Sequence, residues 1–487
     1  NDGLFRALDP ATGAEEWAFI AQEHLDGLQR LRSNTPTVDY FGLDESLSSA
    51  IGAETKRYFF DGSTGSFTEY DGDNELVTGW IFPTMRRGGG HIYALDVSPT
   101  GAPGVPPAEP VFMWKVGPEQ LTQMGESWST PVTGRIKRYV GGGSEEAPDP
   151  VLIFGGGWDA CLDEDTAVLP LGGCAAGNRL YVLNARTGAL LGEYETEAPV
   201  VAEVSTLDID NDGFLDFAYA ADAAGNLYRL NFSSLETLID AYAEPLEQAD
   251  WFISKIAKSS MATVRFFNKP VIGAIQNRVF VTIGSGDRER PLKQNYPYTD
   301  NVSNRFYAFI DEPYGEPTSL VDLDVEAPTD SDRGMLNAAS GLAEGELLVD
   351  QHRGWYLDLP DRGEQIVNPA AIGGGFVFFN SFQPEGGTKG FCSDLGKSKG
   401  YRVPLFRPEN DEGREFGEGV PIPPIIVTVK LNSGEPSCTG PDCGPGEIPN
   451  EIVTVCIGCE GFDPVEIVPA ADSAVREAYR AEDIDRL

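Results

Sequence analysis

The sequence predicts an all-β fold. The main observation is a phrase that recurs along the chain: a turn of small residues, an alternating strand rich in aromatic residues, and then Asp or Asn. Its copies are "NDGLFRALD" (1–9), "GGHIYALD" (89–96), "GNRLYVLN" (177–184), "GNLYRLN" (225–231), "SNRFYAFID" (303–311), "RGWYLDL" (353–359) and "KGYRVPL" (399–405). Seven such units predict a β-propeller, which closes radially and leaves only short protected sheet edges.

Irregular spacing between the copies predicts long inter-strand insertions, because compact blades take only ~40–50 residues. The insertions are expected where Pro, Gly or acidic residues accumulate, at 98–110, 141–150 and 311–334. A few short helices are expected within 15–33, 233–250 and 471–487. We expect residues 1–430 to form the propeller, and residues 431–487 to add cysteine-containing closing strands and a C-terminal helix.

The composition excludes several functions. With 76 acidic and 36 basic residues the net charge is −40, which repels nucleic acid and anionic lipid. No apolar run approaches the roughly 18 residues that a membrane span needs, so no span is expected. The first residues lack an initiator Met and a signal-peptide pattern, so we expect a mature protein or an excised fragment.

The seven cysteines lie at positions 161, 174, 392, 438, 443, 456 and 459. Three close pairs suit local disulfides in an oxidising compartment and leave Cys392 over; they are Cys161 with Cys174, Cys438 with Cys443, and Cys456 with Cys459. The last four cysteines also have tolerable spacing for a zinc site of four thiolates. Both interpretations of these four cysteines stay open.

The stretch "DIDNDGFLD" has the spacing of a calcium loop. The predicted ligands, at loop positions 1, 3, 5, 7 and 9, are Asp208, Asp210, Asp212, the Phe214 carbonyl and Asp216. Position 6 is Gly213, which permits the sharp turn. Hard oxygen ligands without His or Cys favour Ca²⁺ over zinc or copper, and Mg²⁺ demands tighter octahedral geometry.

This calcium loop differs from an EF-hand. Position 12 is Tyr219 instead of a bidentate Glu, and the flanking stretches "VVAEVSTL" and "FAYAAD" predict strands instead of helices. We therefore expect a calcium loop within a β-hairpin. The alternative is a solvated Asp-rich turn that binds no metal.

The stretch "ALDPATGAEEW" (7–17) resembles the tryptophan-docking motif of quinoprotein dehydrogenases, which are propellers that bind pyrroloquinoline quinone and calcium. Its turn is expected to close a hairpin, and Trp17 to fill space between blades. The motif is incomplete elsewhere, because residues 182–194 end in Tyr194 where the motif has Trp. The sequence also has no adjacent Cys-Cys pair to cover a quinone, and only three histidines for acid–base catalysis. We predict a structural use of the motif and no catalytic residue.

Several longer stretches together resemble the C-terminal propeller domain of the PilY family of type IV pilus biogenesis factors and tip adhesins. These stretches are "NDGLFRALDPATGAEEWAFI", "RRGGGHIYALDVS", "GESWSTPVTGRI", "VLIFGGGWDA", "NRLYVLNARTGALLGEYET", "LDIDNDGFLDFAYAADAAGNLYRLN", "GWYLDLPDRGEQIVNPA" and "FVFFNSFQP". They spread over roughly residues 1–405. The resemblance implies a modified seven-bladed β-propeller with calcium held in the loop at 208–216.

The same resemblance implies a non-enzymatic role in pilus extension, retraction and surface contact. The implied partners are minor pilins, the pilus tip complex and a host or abiotic surface. The implied location is extracellular at the pilus tip, after export through the periplasm and outer membrane. The alternatives are a quinoprotein dehydrogenase-like propeller enzyme and a periplasmic assembly scaffold that needs no metal.

Overall fold

The computed structural model describes residues 3–36, 38–39, 54–100, 109–144, 147–170, 173–235, 243–275, 278–313, 320–326, 333–384, 395–432 and 450–458. The described residues up to Ile256 form one compact unit, and those that follow belong mainly to a second. Each unit is built mostly from antiparallel strands.

The strands of the first unit are β1 (Phe5–Leu8), β2 (Glu15–Phe19), β3 (Val38–Asp39), β4 (Glu54–Thr55), β5 (Thr64–Tyr70), β6 (Leu76–Pro83), β7 (Ile92–Asp96), β8 (Val111–Val116), β9 (Val132–Gly134), β10 (Val151–Gly155), β11 (Arg179–Asn184), β12 (Leu190–Glu195), β13 (Ser205–Leu207), β14 (Phe217–Ala221), β15 (Asn226–Asn231), β16 (Ser233–Ser234), β17 (Glu244–Pro245) and β18 (Phe252–Lys258). The last two residues of β18 belong to the second unit. Helical segments of the first unit are α1 (Leu25–Ser33) and the 3₁₀ turns Gln22–His24, Arg86–Gly88, Ala160–Asp163 and Gln248–Asp250.

The strands of the second unit are β19 (Val271–Ile275), β20 (Arg278–Gly284), β21 (Arg305–Asp311), β22 (Val321–Asp322), β23 (Leu336–Asn337), β24 (Gly354–Asp358), β25 (Gln365–Ile366), β26 (Ala371–Gly373), β27 (Phe376–Gln383), β28 (Lys397–Pro404), β29 (Arg414–Glu418), β30 (Ile425–Asn432) and β31 (Asn450–Ile457). A single helical turn, α2, spans Leu348–Gln351.

Three large sheets of the first unit follow the chain in order: β5-β6-β7-β8, β9-β10-β11-β12, and β13-β14-β15-β18. Strands β10 and β11 of the middle sheet are buried on both faces. Alternate side chains of β10 enter different apolar clusters: Leu152 and Phe154 pack with residues of the preceding sheet, whereas Val151 and Ile153 pack with residues of the following one. Burial on both faces explains why β10 reads as a continuous apolar run.

Two large sheets build the second unit: β19-β20-β21-β24-β23, and β25-β27-β28-β29 with β26 also paired to β27. Their shared core contains a stack of aromatic rings, with the Phe306 and Phe379 centroids 3.9 Å apart and Phe379 and Tyr401 4.7 Å apart. The last two residues of β18 also pair in parallel with β22. A separate hairpin joins β30 to β31.

Every copy of the recurring phrase contains a strand. These strands are β1, β7, β11, β15, β21, β24 and β28. Five of them are the third strand of a large sheet, but β21 and β24 lie in the same sheet, so the copies do not correspond one to one with blades. The described residues contain five sheets of four or more strands, and the number of blades stays a prediction.

Two predicted helices differ from the structure. Of 15–33, only Leu25–Ser33 is α-helical, because Glu15–Phe19 pairs with β1 to complete a hairpin. The helix predicted for 233–250 is wrong at both ends: β16 and β17 pair with each other, and a 3₁₀ turn follows. Pro245 explains why β17 is not helical, since proline lacks the amide hydrogen that a helix interior needs.

Several sequence predictions fall on residues outside the described ranges. These are the helix at 471–487 and the side chains of Cys392, Cys438, Cys443 and Cys459. In β31 the backbone of Cys456 pairs with Ile426. The choice between disulfides and zinc, and the boundary at residue 430, therefore stay predictions.

Candidate metal centre

The loop at 208–216 connects two paired strands, as the sequence predicts. Thr206 of β13 pairs with Ala218 of β14, and the Asp216 amide donates to the Leu207 carbonyl at 2.9 Å, which closes the loop. Two residues in the loop adopt left-handed backbone, Asn211 with φ 57° and Gly213 with φ 92°. Glycine is the default residue for such a conformation because it has no Cβ.

Three of the four predicted carboxylates converge. One carboxylate oxygen each from Asp208, Asp210 and Asp216 lies within 4.8 Å of the others. Asp216 is buried with only 5% of its surface exposed, whereas Asp208 and Asp210 are half-buried. The three side chains thus form an acidic pocket with Asp216 at its base.

Backbone amides of the loop orient these carboxylates. The Asp208 carboxylate accepts hydrogen bonds from the amides of Asp212 (3.1 Å) and Gly213 (2.8 Å). The Asp216 Oδ2 accepts one from the Ile209 amide at 2.9 Å. Each carboxylate oxygen can accept more than one bond, so these contacts position the groups without exhausting their capacity for a cation.

Two residues outside the loop also hold the cluster. The Ser233 hydroxyl donates to Asp216 Oδ1 at 2.7 Å, and the Ala243 amide donates to Asp210 Oδ2 at 3.3 Å. Sequence reasoning did not find either residue. Ser233 follows β15, and no spacing rule links it to the loop; Ala243 contributes a backbone group that any residue could supply.

The electrostatics of the pocket disfavour three bare carboxylates. Burial raises the pKa of Asp216 to about 7, against the hydrogen bonds from Ile209 and Ser233, and the charges of Asp210 and Asp208 raise it further. Burial likewise raises the pKa of Asp208. A divalent cation reverses the sign of these interactions, because each carboxylate then gains an opposite charge.

The other two predicted ligands are placed differently. Asp212 forms an ion pair with Lys137, with Nζ 2.5 Å from Oδ2, and its Oδ1 accepts the Phe214 amide at 2.9 Å. Asp212 is therefore not part of the group of three. Phe214 lies in the same loop, and ligation by its carbonyl stays a prediction.

The residues present fit a hard divalent cation. Within the described residues of the group every potential donor is a carboxylate oxygen, with no imidazole or thiolate. Ca²⁺ accepts six to eight such ligands in flexible geometry, whereas Mg²⁺ requires a stricter octahedron. When bound, the ion would supply charge neutralisation and a fixed loop conformation.

The predicted docking turn forms as expected, but its tryptophan does not bridge the large sheets. Asp9 accepts hydrogen bonds from the amides of Ala11 and Thr12, both at 2.8 Å, and closes the β1–β2 hairpin. Trp17 packs near Phe5 of the same hairpin, with ring centroids 6.1 Å apart. The motif is thus structural within the hairpin.

An interblade tryptophan is found elsewhere, on β8. The Trp114 indole donates to the Ala185 carbonyl at 3.0 Å, which lies in the turn after β11 of the next sheet. Asn184 shapes this turn as Asp9 shapes the first, accepting the amides of Arg186 and Thr187 at 2.9 Å. The phrase "VLNARTG" therefore supplies the turn, and its tryptophan comes from the preceding sheet.

The predicted disulfide between Cys161 and Cys174 is present, with Cα atoms 5.6 Å apart. Asp159 lies beside it and brings a third potential ligand atom near the two sulfurs. The sulfurs are bonded to each other and are not thiolates. The neighbouring Asp163 forms an ion pair with Arg87 at 2.8 Å, which anchors the acidic stretch at 161–167 to the 3₁₀ turn Arg86–Gly88.

The profile of the family described as "PilY1 beta-propeller domain" matches residues 47–278, a range that includes the loop at 208–216. This part of the chain is similar to the PilY1 β-propeller domain. The β-propeller class predicted from the recurring strands is thereby confirmed. The match ends at residue 278, so it does not cover most of the second unit.

Curated PilY1 relatives extend the similarity along the chain. "Type IV pilus biogenesis factor PilY1" of Pseudomonas aeruginosa strain UCBPP-PA14 is 26% identical over 237 residues, which cover 47% of this chain and 16% of the relative. The "Type IV pilus biogenesis factor PilY1 homolog" of Xylella fastidiosa strain Temecula1 is 24% identical over 403 residues, covering 79% of this chain and 24% of the relative. The chain thus spans about a quarter or less of these PilY1 relatives.

A solved PilY1 structure has the same fold. The crystal structure of the Pseudomonas aeruginosa PilY1 C-terminal domain matches with a TM-score of 0.54 and 17% sequence identity, and the match covers 84% of this chain and 78% of that one. In the part of the chain that the structure describes, no helix has the length and apolar character of a membrane span.

Proposed function

We propose that this chain is the calcium-binding propeller of a type IV pilus biogenesis factor and that it has no enzymatic activity. In this proposal the ligands are Asp208, Asp210, Asp212, the Phe214 carbonyl and Asp216. The metal fixes the hairpin between β13 and β14. The folded loop then controls how the propeller engages minor pilins at the pilus tip or base, and so regulates extension, retraction and surface attachment.

The observation that carries the proposal is the convergence of Asp208, Asp210 and Asp216 within 4.8 Å, with Asp216 almost fully buried. Such a cluster is costly without a cation. The names of the PilY1 relatives support the pilus role, and the extracellular setting proposed here would supply millimolar calcium. Binding at a free concentration a hundredfold above Kd would stabilise the folded protein by about 2.7 kcal/mol.

The test is a calorimetric titration of the whole chain with Ca²⁺ and with Mg²⁺. We expect one calcium to bind the wild type and to raise its thermal midpoint. Asp210→Asn should weaken binding at least about tenfold, because it removes one charged ligand. Asp73→Asn is the matched control: it removes the same charge from an exposed acidic turn between β5 and β6 and should bind like the wild type.

Two results would contradict the proposal. If neither the wild type nor Asp73→Asn binds calcium, and chelator leaves the melting curve unchanged, the acidic loop is a solvated turn and the chain is a scaffold without metal. If the purified protein carries bound quinone and turns over an alcohol in a dye-linked assay, the enzyme class replaces the one proposed.

A further inference from the structure

Lys137 holds the one predicted carboxylate ligand that lies apart from the other three. Its Nζ is 2.5 Å from Asp212 Oδ2, across a sequence separation of 75 residues. We propose that Lys137 is a tethered cation that competes with the metal for Asp212 and thereby sets the affinity of the centre. This inference rests on the proposed calcium site and concerns its regulation.

Backbone contacts beside Lys137 hold its segment against the loop independently of the ion pair. The Leu215 amide, at the end of the metal loop, donates to the Arg135 carbonyl at 2.7 Å. Gly134 packs so closely on the Leu215 side chain that an added Cβ would lie 2.3 Å from it. Lys137 follows two residues after Arg135, so its ammonium stays within reach of the loop whether or not Asp212 is bound to it.

The pair is accessible and therefore exchangeable. The side chains of Lys137 and Asp212 are 37% and 28% exposed. Partly exposed ion pairs of this kind contribute little to stability, because water competes for both groups. Lys137 can thus release Asp212 when a stronger cation arrives.

A divalent ion and the Lys137 ammonium would compete for Asp212. The ion would lie among Asp208, Asp210 and Asp216, and recruiting Asp212 Oδ2 would bring it close to Nζ. Like charges at such a distance repel, and the divalent charge attracts the carboxylate more strongly. The Phe214 ring, whose centroid is 6.0 Å from Nζ, offers the displaced ammonium a nearby face.

The competition has two measurable consequences. Without calcium, Lys137 stabilises the loop by neutralising Asp212. With calcium, part of the binding free energy is spent on displacing the ammonium. Removing the charge at position 137 should therefore lower the stability of the calcium-free protein and tighten calcium binding.

The experiment is calcium calorimetry and thermal unfolding of the whole chain with Lys137→Met and Arg138→Met. Both changes remove one positive charge, but Arg138 pairs with Glu247 at 3.7 Å and makes no ion pair with the loop in the described structure. We expect Lys137→Met to bind calcium about two- to fivefold more tightly than Arg138→Met. We also expect its calcium-free midpoint to be lower.

A cycle with Asp212→Asn isolates the pair. In the Asp212→Asn background, Lys137→Met should give no tighter binding than Arg138→Met, because the shared ligand is gone. If Lys137→Met does not fold, Lys137→Gln replaces it in the same comparison.

The outcomes separate the two proposals. If the wild type binds calcium and Lys137→Met binds it no more tightly than Arg138→Met does, the competition is overturned and the proposed calcium site stands. Tighter binding by Lys137→Met that persists in the Asp212→Asn background would also overturn it. Absence of calcium binding in the wild type and in all variants would overturn both proposals.

Discussion

Asp149, just before β10, is a buried carboxylate whose charge is held by three donors. Gly142 N and Asn184 Nδ2 donate to Oδ2 at 2.8 and 3.0 Å, and Arg186 Nε donates to Oδ1 at 2.7 Å. Burial alone would raise the pKa of Asp149, but these hydrogen bonds and the Arg186 charge outweigh it and keep the pKa below its ordinary value. Asp149 therefore favours the folded state in its ionised form.

A pH dependence of stability follows from Asp149. Because its pKa is lower in the folded state, its stabilising contribution is present above about pH 4 and is lost as the pH falls through the folded pKa. We expect the free energy of unfolding of the wild type to fall more steeply below about pH 4 than that of Asp149→Asn. Urea unfolding over this range measures both slopes. Parallel curves would contradict the assignment.

At the same scale, the predicted calcium loop at 208–216 shows what spacing can and cannot predict. Alternation of Asp208, Asp210 and Asp212 with Gly213 correctly indicated a tight loop between strands. It could not show that Asp212 would pair with Lys137, because that lysine lies in the turn after β9 and its approach depends on tertiary packing. Ser233 was missed for the same reason.

At the scale of elements, one tryptophan and one glycine make a close contact between neighbouring sheets in the first unit. Trp114 is 8% exposed, and its ring lies against Gly188, where an added Cβ would be 2.8 Å from the indole. Gly188 also has φ 72°, a conformation that favours glycine. The close approach lets the indole reach the Ala185 carbonyl.

Trp114→Phe tests this contact. The change removes the hydrogen bond to the Ala185 carbonyl and leaves a small cavity, so we expect a loss of about 2–3 kcal/mol in the free energy of unfolding. Trp17→Phe is the matched control: Trp17 is only partly buried in its hairpin, and the loss should be below about 1 kcal/mol. Urea denaturation measures both. Equal losses would show that Trp114 does no more than fill volume.

Much of the element pattern could be predicted, and the misses have physical causes. The recurring phrase located β7, β11, β15, β21 and β28 because alternating aromatic residues after a turn suit a buried strand. Glu15–Phe19 was assigned to a helix, since its short sequence carries no decisive period and only pairing with β1 makes it a strand. The spacing of the copies also could not predict that β21 and β24 lie in the same sheet.

At the scale of the whole molecule, the net charge of −40 opposes compaction. Local ion pairs, such as that between Arg87 and Asp163, offset part of this repulsion. The excess of acidic residues leaves a net repulsion that acts over many ångströms. Salt screens such repulsion, since the Debye length falls to about 10 Å at 0.1 M. The folded chain is therefore expected to tolerate salt well.

Thermal unfolding measured in chelator should show this effect. We expect the midpoint to rise by a few degrees between about 0.02 M and about 0.5 M NaCl, because screening relieves repulsion more than it weakens exposed ion pairs. Sucrose at matched osmolality is the control for non-ionic effects. A midpoint that falls with NaCl would show that ion pairs outweigh the net charge.

The position of Trp355 has an optical consequence. Trp355 is the last of the seven tryptophans in the sequence, and the other six precede residue 257. It is fully buried on β24 in the second unit, and its indole donates to the Leu405 carbonyl at 2.9 Å. Indole emission depends on exposure and hydrogen bonding, so the difference in fluorescence between the wild type and Trp355→Phe isolates the signal of the second unit. The chain thus carries its own spectroscopic label, through which the folding of that unit can be followed without an attached dye.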